Sequence, residues 1–399
     1  METTAHLPWD IILEILCRLP VKDLLRFRCV SKSWCSLIGG SDFINLHLKH
    51  SPESTSQIGF AFGGNTDVCW ASLNDLNSFV RLTCPIDIGT GLSVQGSING
   101  LLAIMNRSFD MAIWNPFIRR YISLPMSHHL SHHFLPFHEF EILLTGFGHD
   151  PITDDYKLVM LIEFNGLFTR SSHREVKLYS LNAKKWKKID DSPKHITYGP
   201  PNHGDLFGAL FSNALHWLAE SKRDNSDLIL VFDLVTETFR HFPLPENKCH
   251  CVKLVNLGDS LCAVILINTP PRVEVWGMKE YGVKESWFLL FSVPPTKPTP
   301  PCNYTLPIAY LKNSDEVLLH DSEKLFVYDI KRKEFNKRAV GPGLPEIRDA
   351  LVCVKSLVGL GFGESSCNGK ERGSNVKGGK KHTAKQRDDF LSKGFKLRL

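Results

Sequence analysis

Leu228-Ile-Leu-Val-Phe232-Asp233, followed after a polar turn by Glu237-Thr-Phe239-Arg-His-Phe-Pro-Leu-Pro245, is the stretch from which the fold of this chain is read. A short apolar run ends on an aromatic, a turn intervenes, and a second run opens on an aromatic or basic residue. Short runs rich in β-branched and aromatic residues, separated by Gly, Pro, Asn and Asp, read as strands. The pattern recurs at Ala112-Ile-Trp114-Asn-Pro116 with Arg119-Arg-Tyr121-Ile-Ser-Leu-Pro125, and at Val176-Lys-Leu-Tyr179-Ser-Leu-Asn182 with Lys185-Trp186-Lys-Lys-Ile189. Two further copies are Val273-Glu-Val-Trp276 with Glu285-Ser-Trp287-Phe, and Lys324-Leu-Phe-Val-Tyr328-Asp329 with Lys333-Glu-Phe335. The aromatics Trp114, Tyr179, Phe232, Trp276 and Tyr328 stand 65, 53, 44 and 52 residues apart. A period near fifty is that of one four-stranded blade of a kelch-like propeller. One such unit cannot cover its own apolar faces, so neighbouring sheets must stack, and radial closure leaves only short edges. Residues 60–358 leave room for about six to seven blades. A β-sandwich or a pair of β-domains is the other architecture such runs allow.

Upstream the period changes. Ile12, Leu16 and Leu19 fall on one stripe with Ile11 and Ile15 beside it, which is helix periodicity. Pro8 suits the first turn, where its missing N–H costs nothing, and Asp10 and Glu14 favour the positive end of the helix dipole. Leu19-Pro20 ends the helix, because proline disfavours the helical conformation of the residue before it. Val21 to Phe27 form a second short helix, and Ser31 is the N-cap of a third running through Trp34 to Ile38. Three short helices with apolar residues on more than one face cannot bury that surface internally. A partner is implied, either another protein docking on the helical patch or the downstream domain, against which the helices would lie as a cap.

These residues carry a resemblance. Leu7 to Ile38, LPWDIILEILCRLPVKDLLRFRCVSKSWCSLI, is similar to the F-box, in particular its plant version, with Asp23 where serine is common and Cys35 where a basic residue is common. Further on, Asn99-Gly-Leu-Leu, Trp114-Asn-Pro-Phe-Ile-Arg119, Thr145-Gly-Phe-Gly-His-Asp-Pro-Ile-Thr-Asp-Asp-Tyr-Lys157, Asn213-Ala-Leu-His-Trp217 and Val273 to Trp287 resemble, in order, the plant F-box-associated domain. The resemblance implies an α+β, mainly β chain: a three-helix F-box at 5–50, a linker at 51–59, a propeller at 60–358 and a tail at 359–399. It also implies a Skp-type adaptor as partner and, through it, a cullin and a RING protein. Leu7, Pro8, Ile11, Ile12, Ile15, Leu16, Leu19, Pro20, Val21, Leu24 and Leu25 then make the adaptor-facing surface, with Val30, Ser31 and Trp34 at its far end.

Composition agrees with a protein receptor. The chain has 399 residues, 43% hydrophobic and 22% charged, which excludes a disordered or collagenous class. Its net charge of +5 invites thoughts of nucleic acid, but residues 359–399 hold ten basic and four acidic groups, a net of +6. The remaining body carries −1 and is a poor phosphate-tracking surface. Nothing reads as a signal peptide or a spanning segment, and eleven scattered cysteines without a Cys-x-x-Cys pair read as reduced thiols of a cytoplasmic or nuclear protein. The stretch Lys377 to Arg387 has the character of a weak nuclear signal or of a solvated charge run.

No catalytic constellation stands out. His128-His-Leu-Ser-His132-His with His138 nearby is the most metal-like group, but it lies between Pro125 and Pro136 as a loop with no acid or cysteine to complete a tetrahedral set, and Cys249-His-Cys251 has the wrong spacing for a zinc knuckle. Gly146-Phe-Gly148 is not followed by a phosphate-loop lysine. Trp114, Trp217, Trp276 and Trp287 sit where a blade needs core. The expectation is therefore a non-catalytic substrate receptor without cofactor or metal, binding an unknown protein and neither nucleic acid nor membrane. Its contacts should come from the longest irregular segments, Met126 to Glu139, Asn165 to Arg174, Asp190 to Asp205 and Pro294 to Tyr304. A propeller enzyme with the helices as a mere cap, and a Skp-binding scaffold outside any ligase, are the competing classes.

Overall fold

A computed structural model describes residues 8–360 except 52–56, 64–66, 88–90, 126–137, 167–171, 191–192, 194–195, 199–206, 224–225, 246–250, 297–304, 312–314, 322–323, 337–346 and 348. Four helices come first: α1 (Trp9–Leu16), α2 (Val21–Phe27), α3 (Lys32–Gly39) and α4 (Ser41–His50). Pro8 and Pro20 stand as N-caps of α1 and α2, and the Ser31 hydroxyl accepts the Trp34 N–H at 3.1 Å at the head of α3. The expected count of three is corrected to four. Gly39-Gly40 interrupts the pattern and reads as an end, but Gly40 is extended and serves as the N-cap from which α4 restarts.

The rest is a ring of six sheets, which settles the blade count at six. Blade 1 contains β1 (Ile58–Gly63), β2 (Val68–Ser72) and β3 (Asp75–Leu82). Blade 2 is β4 (Leu92–Ile98), β5 (Leu101–Asn106), β6 (Met111–Asn115) and β7 (Arg120–Leu124). Blade 3 is β8 (His138–Asp150), β9 (Asp155–Gly166), β10 (Ser172–Ser180) and β11 (Lys185–Ile189). Blade 4 holds β12 (Ile196–Tyr198), β13 (Ala209–Phe211), β14 (Ala214–Ser221), β15 (Asp227–Asp233) and β16 (Phe239–Pro243). Blade 5 is β17 (Cys251–Leu257), β18 (Ser260–Asn268), β19 (Pro271–Met278) and β20 (Trp287–Val293). Blade 6 is β21 (Leu306–Tyr310), β22 (Glu316–His320), β23 (Leu325–Asp329) and β24 (Glu334–Phe335). The last strand, β25 (Asp349–Val354), returns to blade 1 and pairs antiparallel with β1, Ile58 opposite Val354.

Each sheet buries both faces against its neighbours, so the middle strands read as continuous apolar runs. Six clusters fill the six gaps between blades. Ile113 of blade 2 and Tyr156 of blade 3 belong to one cluster, and Leu178 and Trp217 to the cluster of the next gap. Ile229 and Trp287 belong to the cluster between blades 4 and 5, and Val275 and Tyr328 to that between blades 5 and 6. Phe60 and Val327 share one cluster and Trp70 and Trp114 another, closing the circle through blade 1. The repeated aromatics occupy the third strand of their blades: Trp114, Tyr179, Phe232 and Tyr328 are buried, and Trp276 is half-buried. Trp70 on β2 is the sixth member of this series. Among the described residues no helix is long and apolar enough to cross a membrane, and the cysteines form no disulfide.

Candidate functional site

The helical module divides the expected adaptor surface into an inner and an outer set. Leu16, Val21 and Leu24 are at most 2% exposed and form one cluster with Cys17, Ile38, Phe43 and Leu357. They hold the module together and have no surface to offer. Ile12, Leu19, Leu25 and Trp34 pack half-buried around that cluster, and Pro20 is half-buried too. Pro8, Ile11, Ile15, Val30 and Ser31 lie outside, with Ile11 49%, Ile15 51% and Val30 64% exposed. Leu7 is beyond the described residues. Trp9, 57% exposed on the first turn of α1, joins the outer set although the sequence reading left it out.

The helices also act as a cap, on a different face. Helix α4 packs Ile44 and Leu48 against the cluster between blades 2 and 3. His47 is buried, its Nε2 2.9 Å from the Leu19 carbonyl, and Gln57 Nε2 donates to the same oxygen at 3.4 Å. Below this, residues 355–360 leave β25 as an extended strap. Ser356 Oγ donates to the Asn99 carbonyl at 2.6 Å, and Asn115 Nδ2 donates to the carbonyls of Ser356 at 3.1 Å and Val358 at 3.0 Å. Leu357 enters the helical core, with Phe117 and Ile118 packed against the same cluster, while Val358 and Leu360 enter the core between blades 2 and 3. Asn99-Gly and Trp114-Asn-Pro-Phe-Ile, two of the stretches that carry the resemblance to the F-box-associated domain, are thus the seat of the strap. Gly100 has φ +80°, and a Cβ there would meet Ser356 Oγ at 2.3 Å.

A chain of contacts fixes which end of every blade faces the helices. Asn99 Nδ2 donates to Tyr156 Oη at 3.1 Å, so the β8–β9 turn lies beside the β4–β5 turn. Lys157 Nζ reaches the Leu234 carbonyl at 2.6 Å and Glu237 Oε1 at 3.0 Å in the β15–β16 turn. Asn256 Nδ2 donates to the Leu210 carbonyl at 3.2 Å, and Tyr310 packs over Gly258. All these turns share the helical side. Antiparallel order then puts the ends of β7, β9, β11 and β20, and the starts of β8, β10 and β21, on the opposite rim. The four segments expected to be irregular leave from these strand ends, but 138–139, 165–166, 172–174 and 196–198 within them are strand; 126–137, 167–171, 191–192, 194–195, 199–206 and 297–304 lie outside the described residues, as do His128 to His132, Cys249 and the tail from Gly361. No side chain is described for His138.

The buried polar groups bind blade to blade. Lys157 is paired with Asp150 at 2.8 Å and with Glu237, joining blades 3 and 4. Burial opposes the charge on Asp150, but hydrogen bonds from Lys157, from Thr153 and from the Ile152 N–H hold its carboxyl down at about 2. His216 lies between the Ala209 carbonyl at 3.0 Å and Tyr281 Oη at 2.7 Å, and burial pushes its imidazole down to about 4. Trp217 Nε1 donates to the Thr145 carbonyl at 2.8 Å, from blade 4 to blade 3. Trp287 Nε1 donates to the Pro243 carbonyl at 3.3 Å, from blade 5 to blade 4. Perturbed ionisation here follows from architecture, with each group tied to a neighbouring strand or turn.

The F-box domain profile matches residues 5–46, and the profile of the F-box associated beta propeller domain matches residues 70–352. The chain belongs to the F-box proteins. Among them it is 31% identical over 432 aligned residues to F-box protein CPR1 of Arabidopsis thaliana, covering 99% of this chain and 100% of that one. It is 26% identical to F-box protein At4g22390 and 27% to F-box/kelch-repeat protein At3g23880 of the same plant, covering 99% and 90% of this chain and 100% and 97% of theirs. In this F-box protein the F-box is the four-helix module, and the associated domain is the six-bladed ring to which the strap fastens it.

Proposed function

We propose that this F-box protein is the substrate-recognition subunit of an SCF-type ubiquitin ligase. The observation that carries the reading is the apolar surface left over on the helical module. After α4 has docked on the ring and Leu16, Val21 and Leu24 have formed the module's own core, Trp9, Ile11, Ile15 and Val30 remain exposed. Exposed anchors at the i and i+4 positions of a short helix suit groove or helix-face recognition by an adaptor. A Skp-type adaptor bound there brings a cullin and a RING protein with it. The far rim, where the long connections emerge, takes the protein to be modified. Catalysis then needs no group of this chain: holding the target near a charged ubiquitin-conjugating enzyme raises its effective concentration. We read the protein as non-catalytic, and as working in the cytoplasm or nucleus.

Proximity labelling under proteasome inhibition tests this reading. The full chain is compared with an Ile11→Asp, Ile15→Asp double variant, whose changes fall on surface positions. Proteins whose labelling and ubiquitin conjugation require the intact helix face are the expected substrates. Identical labelling and identical conjugation for both chains would remove the ligase role.

A further inference from the structure

Helices α1 and α4 bring three metal-ligating side chains together that positions 14, 17 and 50 do not announce. A carboxylate oxygen of Glu14, Cys17 Sγ and a ring nitrogen of His50 all lie within 4.8 Å of one another. Cys17 is 2% exposed at the C-cap of α1, its thiol donating to the Glu14 carbonyl at 3.2 Å, and His50 is half-buried as the last residue of α4. Arg18 directs both its Nε and its Nη2 to one Glu14 oxygen, Oε1, which orients the carboxylate. A second group that fixes a ligating carboxylate is a usual companion of metal sites.

We propose that Glu14, Cys17 and His50 form a zinc site that ties α1 to α4, with solvent in the fourth position. The donor set decides the metal. One thiolate, one imidazole and one carboxylate suit Zn²⁺, whereas Mg²⁺ and Ca²⁺ demand oxygen ligands throughout. Bonds of about 2.0–2.3 Å place tetrahedral donors about 3.3–3.8 Å apart, so closing the site takes roughly 1 Å of movement. Glu14 is at the surface and His50 partly so, and both can rotate toward the fixed sulfur. Cys17 loses its thiol proton to solvent on ligation. The metal would join the helix that presents Ile11 and Ile15 to the helix that docks on the ring, and so brace one against the other. This site stands apart from the ligase reading and does not depend on it.

Titration of the metal-free, reduced full chain with Co²⁺ tests the proposal, since cobalt reports thiolate ligation by a near-ultraviolet charge-transfer band and four-coordination by intense visible bands. The expected result is such a spectrum at one equivalent, displaced by Zn²⁺, and weakened at least about tenfold in affinity by Cys17→Ser and by His50→Gln. Cys29→Ser, at an exposed thiol of the same module, should leave it unchanged. Zn²⁺ should also raise the melting temperature of the parent chain and of Cys29→Ser but not of the two ligand variants. The surface change Glu14→Gln keeps the test valid should Cys17→Ser unfold the module. No thiolate band in the parent chain, or a band and a melting shift that survive His50→Gln and Glu14→Gln, would overturn the proposal.

Discussion

Asn115 Nδ2 donates to the carbonyl oxygen of Val358 at 3.0 Å, a bond between residues 243 apart in sequence. The same amide reaches the Ser356 carbonyl, and its own oxygen accepts the Phe117 N–H at 3.0 Å. One buried side chain therefore holds the strap to blade 2 and shapes the β6–β7 turn that touches the helices. Orientation of the F-box against the ring rests on this seat, together with Leu357 in the helical core.

Removing the seat should loosen the junction. Asn115→Ala leaves two buried carbonyls without their donor and is expected to cost about 2–3 kcal/mol in chemical denaturation. Gly100→Ala should be at least as harmful, because its Cβ would meet Ser356 Oγ at 2.3 Å and the Val354 carbonyl at 2.8 Å with φ at +80°. A loss under about 0.5 kcal/mol for Asn115→Ala, the range of ordinary surface changes, would mean the strap is held by other contacts.

Ring closure depends on β25. A chain ending at residue 360 keeps the pairing of Asp349–Val354 with β1 and should melt like the parent. A chain ending at residue 348 leaves an open edge on β1 and removes Cys353 from the core beside Trp70. Thermal melting and soluble yield should separate the two. Equal stability would show that the ring does not need its last strand.

Lys157 joins blades 3 and 4 as a buried cation with two carboxylates. Lys157→Met is expected to cost about 3–5 kcal/mol, since Asp150 is left buried and unpaired. The sign with pH follows from the lowered carboxyl. Asp150 stabilises the fold fully above its ordinary value of 3.8, and that contribution fades as pH falls toward about 2. In Lys157→Met the stability should rise, relative to the parent, as acid neutralises Asp150. Parallel denaturation curves for parent and variant across that range would contradict the pairing.

Acid should weaken the ring earlier through histidines that fold neutral. Burial lowers His216 to about 4 and His320 to about 3, both from 6.5. Unfolded chains take up these protons first, so stability is full above pH 6.5 and falls as pH drops toward 4. His320→Gln should flatten the slope of unfolding free energy between pH 6 and 4, roughly by its one-proton share. An unchanged slope would show that His320 is protonated in the fold.

The ring was largely legible because its signal is local. Phe232 and Tyr179 end apolar strands next to their own turns, and the turn chemistry lies beside them in sequence. Blade 1 hid its copy: Trp70 stands on β2 of a blade whose innermost strand, β25, reaches β1 from nearly three hundred residues away, and no local pattern announces that pairing. Helix α4 was masked by Gly39-Gly40, although Phe43 with His47 and Ile44 with Leu48 show the four-residue step. Within the F-box, periodicity gave one apolar stripe but not its division. Leu16 and Leu24 turn inward because Ile38, Phe43 and Leu357 arrive from elsewhere, and Ile11 and Ile15 stay out because none of the described residues covers them. The strap could not be read at all, since Ser356-Leu-Val-Gly-Leu360 looks like the frayed end of a strand.

The most direct measurement of the central claim is co-elution of the full chain with a Skp-type adaptor and a cullin on size exclusion. The parent chain should form a single ternary peak. Ile11→Asp with Ile15→Asp should melt within about 0.5 kcal/mol of the parent, as surface changes do, and yet lose both partners. Leu24→Asp should instead unfold the helical module, because it places a charge at a fully buried position. A folded Ile11→Asp, Ile15→Asp chain that still elutes with adaptor and cullin would contradict the account.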